Sequence, residues 1–152
     1  MSRTERSFRL PPFFIKICGL TSEETLEAAL DAGADMVGFV FHPKSPRHVT
    51  PERAVELARR ARGKAEIVAL IVNFEPEAAR ALAATLRPDW LQLHGQETPD
   101  TIRATRAATG LRILKAAGVA AAADLAALPP LAEAADLLLI DAKPPKDAAY
   151  PG

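Results

Sequence analysis

Short aliphatic runs alternate with alanine-rich stretches from residue 13 onward. The apolar runs at 13–18, 35–41, 66–72, 89–93, 111–116 and 136–141 are near-continuous rather than alternating, the pattern of parallel strands covered on both faces. Between them the spacing predicts helices over 22–32, 51–61, 76–86, 99–108 and 121–128. Thr21 or Ser22 can cap the first of these. Thr50-Pro51, Glu75-Pro76 and Thr98-Pro99 each put a proline near the first helical position, where its missing N–H does no harm. The alanine run 116–127 reads as helix filler. Asp35, Asp89 and Asp136 each stand just before a strand, a regularity the pattern alone leaves unexplained.

Strand plus helix recurs at about 25 residues, the size of a βα unit. Such alternation predicts an α/β fold, either a doubly wound sheet or part of a (β/α)8 TIM-type barrel. No Gly-x-Gly-x-x-Gly follows the first strand, since Cys18-Gly19-Leu20-Thr21 stands there, so the barrel is favoured. A closed barrel usually needs at least ~200 residues. The expectation is therefore an incomplete barrel of about six βα units over 13–152, preceded by a loose tail over 1–12.

The bulk numbers narrow the function classes. Nineteen basic and nineteen acidic residues cancel, which argues against nucleic acid as the main partner. One cysteine excludes an internal disulfide framework and a multi-thiolate zinc site, and it fits a reducing cytoplasm. No run approaches eighteen apolar residues and the first twelve carry no signal-peptide core, so no membrane span or export is expected.

The ends of the predicted strands form a polar list: Cys18, His42, Asn73, His94, Lys115 and Asp141. In a parallel α/β protein the carboxyl ends of the strands are where ligands bind. Each residue also has a plainer reading. A lone cysteine is most often a small buried hydrophobe, though Gly19 and a following helix N-terminus would suit a thiolate. Asp141 could simply pair with Lys143, or serve as a general acid. Lys44, Arg47 and His48 could be a solvated basic loop; as a site, Arg47 offers a planar fork for a carboxylate. Gln92 and His94 share one strand face, where a satisfied structural histidine is the commoner case. The three histidines show no metal spacing. Lys115 could form a Schiff base, but nothing nearby singles it out.

Taken in order, these residues resemble the phosphoribosylanthranilate isomerase family. The resemblance lies in Lys16-Ile17-Cys18-Gly19-Leu20-Thr21, Gly33-Ala34-Asp35-Met36-Val37-Gly38-Phe39-Val40-Phe41, Lys44-Ser45-Pro46-Arg47, Val72-Asn73, Leu91-Gln92-Leu93-His94-Gly95, Lys115-Ala116 and Leu139-Ile140-Asp141-Ala142-Lys143. The segments are short, but the ordered set is specific. The family is a (β/α)8 barrel of tryptophan biosynthesis that uses neither cofactor nor metal. The resemblance implies an Amadori rearrangement of N-(5-phosphoribosyl)anthranilate, with Asp141 as general acid, Cys18 as general base and Arg47 on the anthranilate carboxylate. Gln92 and His94 become substrate-binding candidates, and the partner is a phosphorylated sugar–anthranilate.

The family's phosphate-binding loops follow its seventh and eighth strands. Without about three charge-assisted hydrogen bonds, each ~1.5–3 kcal/mol, binding would lose ~4–9 kcal/mol, so the 152 residues alone are expected to be weakly active or inactive. The competing expectation is a non-catalytic partial barrel that self-associates, or pairs with another chain, through open sheet edges. Another sugar-phosphate barrel, such as indoleglycerol-phosphate synthase, fits less well, because it works with lysine and glutamate where this chain has cysteine and aspartate.

Overall fold

The computed structural model describes residues 13–143; the expected tail over 1–12 and the segment 144–152, with Pro144 and Pro145, lie outside the described residues. The elements run β1 (Lys16–Cys18), α1 (Glu23–Asp31), β2 (Met36–Phe41), α2 (Pro51–Ala61), β3 (Glu66–Ile71), α3 (Pro76–Leu86), β4 (Trp90–Leu93), α4 (Pro99–Thr109), β5 (Arg112–Val119), α5 (Leu128–Ala134) and β6 (Leu137–Ala142). All neighbouring strands pair in parallel, in the order β1-β2-β3-β4-β5-β6, as a curled partial barrel. Strand order that follows chain order rules out the doubly wound alternative, whose sheet reverses direction at a switch point. Among the described residues β1 and β6 are the sheet edges.

Period-two alternation sorts every strand into two faces. Met36, Val68, Trp90 and Leu114 form a cluster on the concave face, with Phe14, Leu137 and Leu139 packed against it. The convex face carries the larger core, where Val37, Phe39, Ile67, Leu91 and Ile113 meet helix residues such as Leu26, Leu57 and Ile102. Burying a side chain of this size is worth about 1.5–3 kcal/mol, so the convex layer dominates the packing.

The aspartates that precede strands now have a cause. Asp35 Oδ2 accepts the backbone N–H of Ile15 at 2.8 Å, Asp89 Oδ2 that of Ile67 at 2.8 Å, and Asp136 Oδ2 that of Ile113 at 2.7 Å. Each carboxylate takes up a backbone donor at the start of the previous strand, which the ladder cannot satisfy there. At the same end of the sheet, Glu66 accepts from Trp90 Nε1 at 2.7 Å and from Arg112 at 2.8 Å, with the Arg112 guanidinium 4.2 Å from the Trp90 ring.

Helices α2, α3 and α4 start where expected, with Pro51, Pro76 and Pro99 in their first turns. Ser22 caps α1, its hydroxyl accepting from Thr25 N–H. The fifth βα unit departs from expectation. Strand β5 extends through Val119 and so claims Ala116 and Ala117; Ala122–Ala127 is a 3-10 segment, and the α-helix begins only at Leu128. Pro129 and Pro130 explain the shift, since proline is tolerated in a first helical turn and would break a helix that had begun at 121.

Candidate active site

Cys18 ends β1 half-buried, on the concave side, and its sulfur is accommodated by Gly38 on β2. A β-carbon at Gly38 would lie 2.9 Å from Cys18 Sγ and 3.1 Å from Lys16 Nζ, so only a bare backbone lets both side chains cross this strand. Lys16 and Cys18 are two residues apart on one strand and therefore share a face. The loop after β2 adds a second cation. Ser45 N–H bonds to the His42 carbonyl, Ser45 Oγ accepts from Arg47 N–H, and His48 N–H bonds to the Ser45 carbonyl, which folds the segment tightly. That turn lays Arg47 across Gly19, with Nη1 3.4 Å from the Cys18 carbonyl oxygen. Helix α1 opens with Glu23 and Glu24, which offset its positive end, so the positive charge beside the thiol comes from Lys16 and Arg47 rather than from the helix.

On the far strand, Asp141 is exposed and lies 3.2 Å from His94 Nε2. The other imidazole nitrogen is 3.1 Å from Gln92 Nε2. Gln92, His94 and Asp141 thus form one hydrogen-bonded chain from the buried interior of β4 to the rim of β6. Gln92 is 2% exposed, so it reaches the rim only through the histidine. Asp141 does not pair with Lys143; that lysine is 3.1 Å from Asp124, whose carboxyl is lowered to about 2 by the backbone N–H groups of Ala120 and Ala121 and then by Lys143.

Lys115 is not at a strand end. It faces the convex layer alongside Ile113, is 2% exposed, and its ammonium donates to the carbonyls of Leu93 and Gly95 and to Glu97 Oε2 at 2.7 Å. Held there it cannot reach a substrate on the concave face, which removes the Schiff-base alternative. Glu97, absent from the sequence reading, also accepts from the backbone N–H groups of Asn73 and Gly95. Burial pushes its carboxyl up, but the Lys115 and backbone hydrogen bonds outweigh burial and hold it below the ordinary value. Asn73 adopts φ 52° and accepts Gln96 N–H through Oδ1, so the loops after β3 and β4 are tied together. Lys16 and Glu97 were both missed. The signal for Lys16 was its spacing from Cys18, and for Glu97 the need of a buried Lys115 for a counter-charge.

Among the described residues no group of three or more histidine, cysteine or acidic side chains could hold a metal ion. A cleft of about 430 Å³, lined by Phe41, His48, Phe74 and Leu82, contains neither Cys18 nor Asp141.

Residues 15–148 match the family model described as N-(5'phosphoribosyl)anthranilate (PRA) isomerase. The chain belongs to this family. It is 55% identical over 138 residues to an N-(5'-phosphoribosyl)anthranilate isomerase of Afipia carboxidovorans, covering 91% of this chain and 59% of that relative. A Rhodopseudomonas palustris isomerase of the same name is 51% identical, with 91% and 65% covered. The chain therefore spans about three-fifths of the length of these curated relatives. Among solved structures, the isomerase of Thermotoga maritima superposes with a TM-score of 0.78 at 32% identity, over 88% of this chain and 63% of that one. Another isomerase structure, in complex with reduced 1-(o-carboxyphenylamino)-1-deoxyribulose 5-phosphate, gives 0.76 at 32% identity, over 85% and 64%. The barrel fold expected from the sequence is the fold of this family.

Proposed function

We propose that this chain carries the acid–base centre of a phosphoribosylanthranilate isomerase, acting on N-(5-phosphoribosyl)anthranilate. The observation that carries the reading is the placement of Cys18 and Asp141 on the concave side at the two ends of the strand order, in a chain similar to an isomerase that binds a reduced product analogue. Asp141 gives its proton to the furanose ring oxygen as the C1–O bond breaks, and the anilinic nitrogen's electron pair forms the C1=N bond. Cys18, as thiolate, then takes the proton from C2. The resulting enolamine takes a proton at C1 and releases that of its C2 hydroxyl, which gives the ketone of 1-(2-carboxyphenylamino)-1-deoxyribulose 5-phosphate. A base and an acid that address different atoms of one substrate need opposed positions, which the first and sixth strands supply.

Arg47 is suited to the substrate's carboxylate. Its bond to the Cys18 carbonyl is long, and exchanging it for a bidentate, charge-assisted pair is favourable. His94 stands against Asp141 through Nε2, with Gln92 behind it. No step calls for a cofactor. The partner is thus a small phosphorylated metabolite. We assign the cytoplasm, which keeps a thiol base reduced; among the described residues no helix is long and apolar enough to cross a membrane.

Turnover, followed as loss of substrate fluorescence on folded protein of confirmed mass, tests this reading beside Cys18→Ala and Asp141→Asn. Either substitution should lower the rate by roughly 10²–10⁴. Turnover that both variants retain overturns it, whereas a folded chain without measurable turnover is what a weak grip on the phosphate already leads one to expect. A second reading has its own observation: Ile15 and Ile17 on the β1 side and Ile140 on β6 are 49%, 39% and 54% exposed. Edge strands with such apolar side chains favour pairing between copies. A discrete dimer by mass in solution would support it, and a monomer at micromolar concentration would exclude it.

A further inference from the structure

The carboxamide oxygen of Gln92 is buried and has no hydrogen-bond partner, an orphan acceptor in a side chain that is 2% exposed. Its cause lies in the other half of the amide. Nε2 faces His94 Nδ1 at 3.1 Å, and a buried amide can present either its NH2 or its oxygen to that ring. Turned over, the oxygen would accept from the imidazole and both amide N–H groups would be left in the interior; as placed, one N–H meets the ring and the oxygen is left instead. An NH2 that donates to Nδ1 requires that nitrogen to be bare. The neutral ring then carries its proton on Nε2, directed at the Asp141 carboxylate 3.2 Å away. Asp141 by itself does not decide the tautomer, because in the acid form that the proposed reaction uses it could donate to Nε2 as well as accept from it; the choice falls to Gln92.

We infer that Gln92 is a positioning residue that fixes His94 in its Nε2–H tautomer, so that the imidazole donates to Asp141 and does not accept from it. This rests on the reading of Asp141 as the general acid. When Asp141 passes its proton to the ring oxygen, the carboxylate left behind receives the His94 N–H bond, and His94 keeps its own proton throughout. The orphan oxygen of Gln92 is the cost of holding that direction. Gln92 thereby acts through His94 and does not touch the substrate.

The test is the nitrogen spectrum of the imidazole in the full chain, with His94 assigned by loss of its signals in His94→Asn. At about pH 8.5, well above the usual histidine range, wild type should show a protonated Nε2 and a bare Nδ1. Gln92→Glu, which presents only acceptors, should move the proton to Nδ1. Gln92→Met, of similar shape and without a donor, should give a mixture of the two. A wild-type ring protonated on Nδ1, or a folded Gln92→Met protein that keeps the wild-type pattern, overturns the inference. The spectrum needs no turnover, so the tautomer result stands or falls apart from the proposed reaction, which is overturned by turnover that Cys18→Ala and Asp141→Asn both retain. In active protein Gln92→Met should lower kcat by roughly tenfold or more with KM little changed. Equal loss in both constants would mark a merely structural role.

Discussion

In β2, β3 and β4 nearly every residue is buried, and in the central part of β5 as well, whereas β1 and β6 leave Ile17 and Ile140 in the open. The two groups of strands carry different kinds of polar residue. Cys18 and Asp141, the proposed base and acid, sit on the first and last strands, the edges among the described residues. Gln92 and Lys115 sit in the centre, and Glu97 follows the central strand β4. A group that exchanges protons with a substrate has to be reachable, and an exposed charge keeps its hydration. A polar group in the centre has lost its water and is tolerated only when partnered. Substitutions at the centre should therefore cost stability, and those at the edges should cost chemistry.

The sharpest way to break that division is to unpair the central ion pair. Lys115→Met leaves the Glu97 carboxylate buried with its counter-charge gone, although the Asn73 and Gly95 N–H groups still point at it. Removing one partner of a buried pair costs about 3–5 kcal/mol. Urea unfolding of the variant against wild type reads this directly, and a loss below about 1 kcal/mol, the scale of a surface ion pair, would mean the pair does not organise the centre.

Gly95→Ala probes the same network through space. The added methyl would overlap Asn73 Oδ1 and stand 2.8 Å from Glu97 Oε1, so one hydrogen-bonded group has to move. Overpacking of this kind costs about 1–3 kcal/mol. Thermal melts that leave the variant unchanged would show the loop to be adaptable.

Acidification tests the pair without displacing atoms. The folded state holds the Glu97 carboxyl below its ordinary value of 4.5. Between the two values the unfolded chain binds the proton and the folded one does not, so stability rises with pH there. The contribution is complete above the unfolded value and is lost as pH falls through the folded one. Glu97→Gln should flatten that part of the stability–pH curve relative to wild type, and identical slopes would contradict the assignment.

How much of this was legible beforehand follows the same division. Apolar runs marked all six strands, and proline at the first turn fixed the starts of α2, α3 and α4, because both signals are local. Cys18 and Asp141 could be singled out because a polar residue at the end of an apolar run is visible as a change of polarity. Glu97 could not, since its burial depends on Lys115 eighteen positions away and on the face of β5 that lysine takes. The expected place of Lys115 at a strand end fails for the same reason: β5 continues to Val119, so position 115 is mid-strand. The aspartates before the strands were noticed but had no cause until their partners, the N–H groups of Ile15, Ile67 and Ile113, came into place.

The smallest expected effect on stability is at the edge. Asp141 is half exposed and its partner in the structure is Nε2 of the His94 imidazole. In Asp141→Asn the side-chain oxygen can accept the same hydrogen bond, no charge is stranded in the interior, and the apolar packing of Leu139 beneath it is untouched. The change in unfolding free energy should stay within about 0.5 kcal/mol, the range of surface substitutions away from special features. The amide, however, cannot give up a proton as a carboxylic acid does. Urea unfolding and turnover measured on the same preparation therefore separate the two regions. A variant that keeps its midpoint and loses its rate places Asp141 with the chemistry, whereas one that loses 2 kcal/mol or so, well outside the surface range, would make the edge as structural as the centre and erase the contrast.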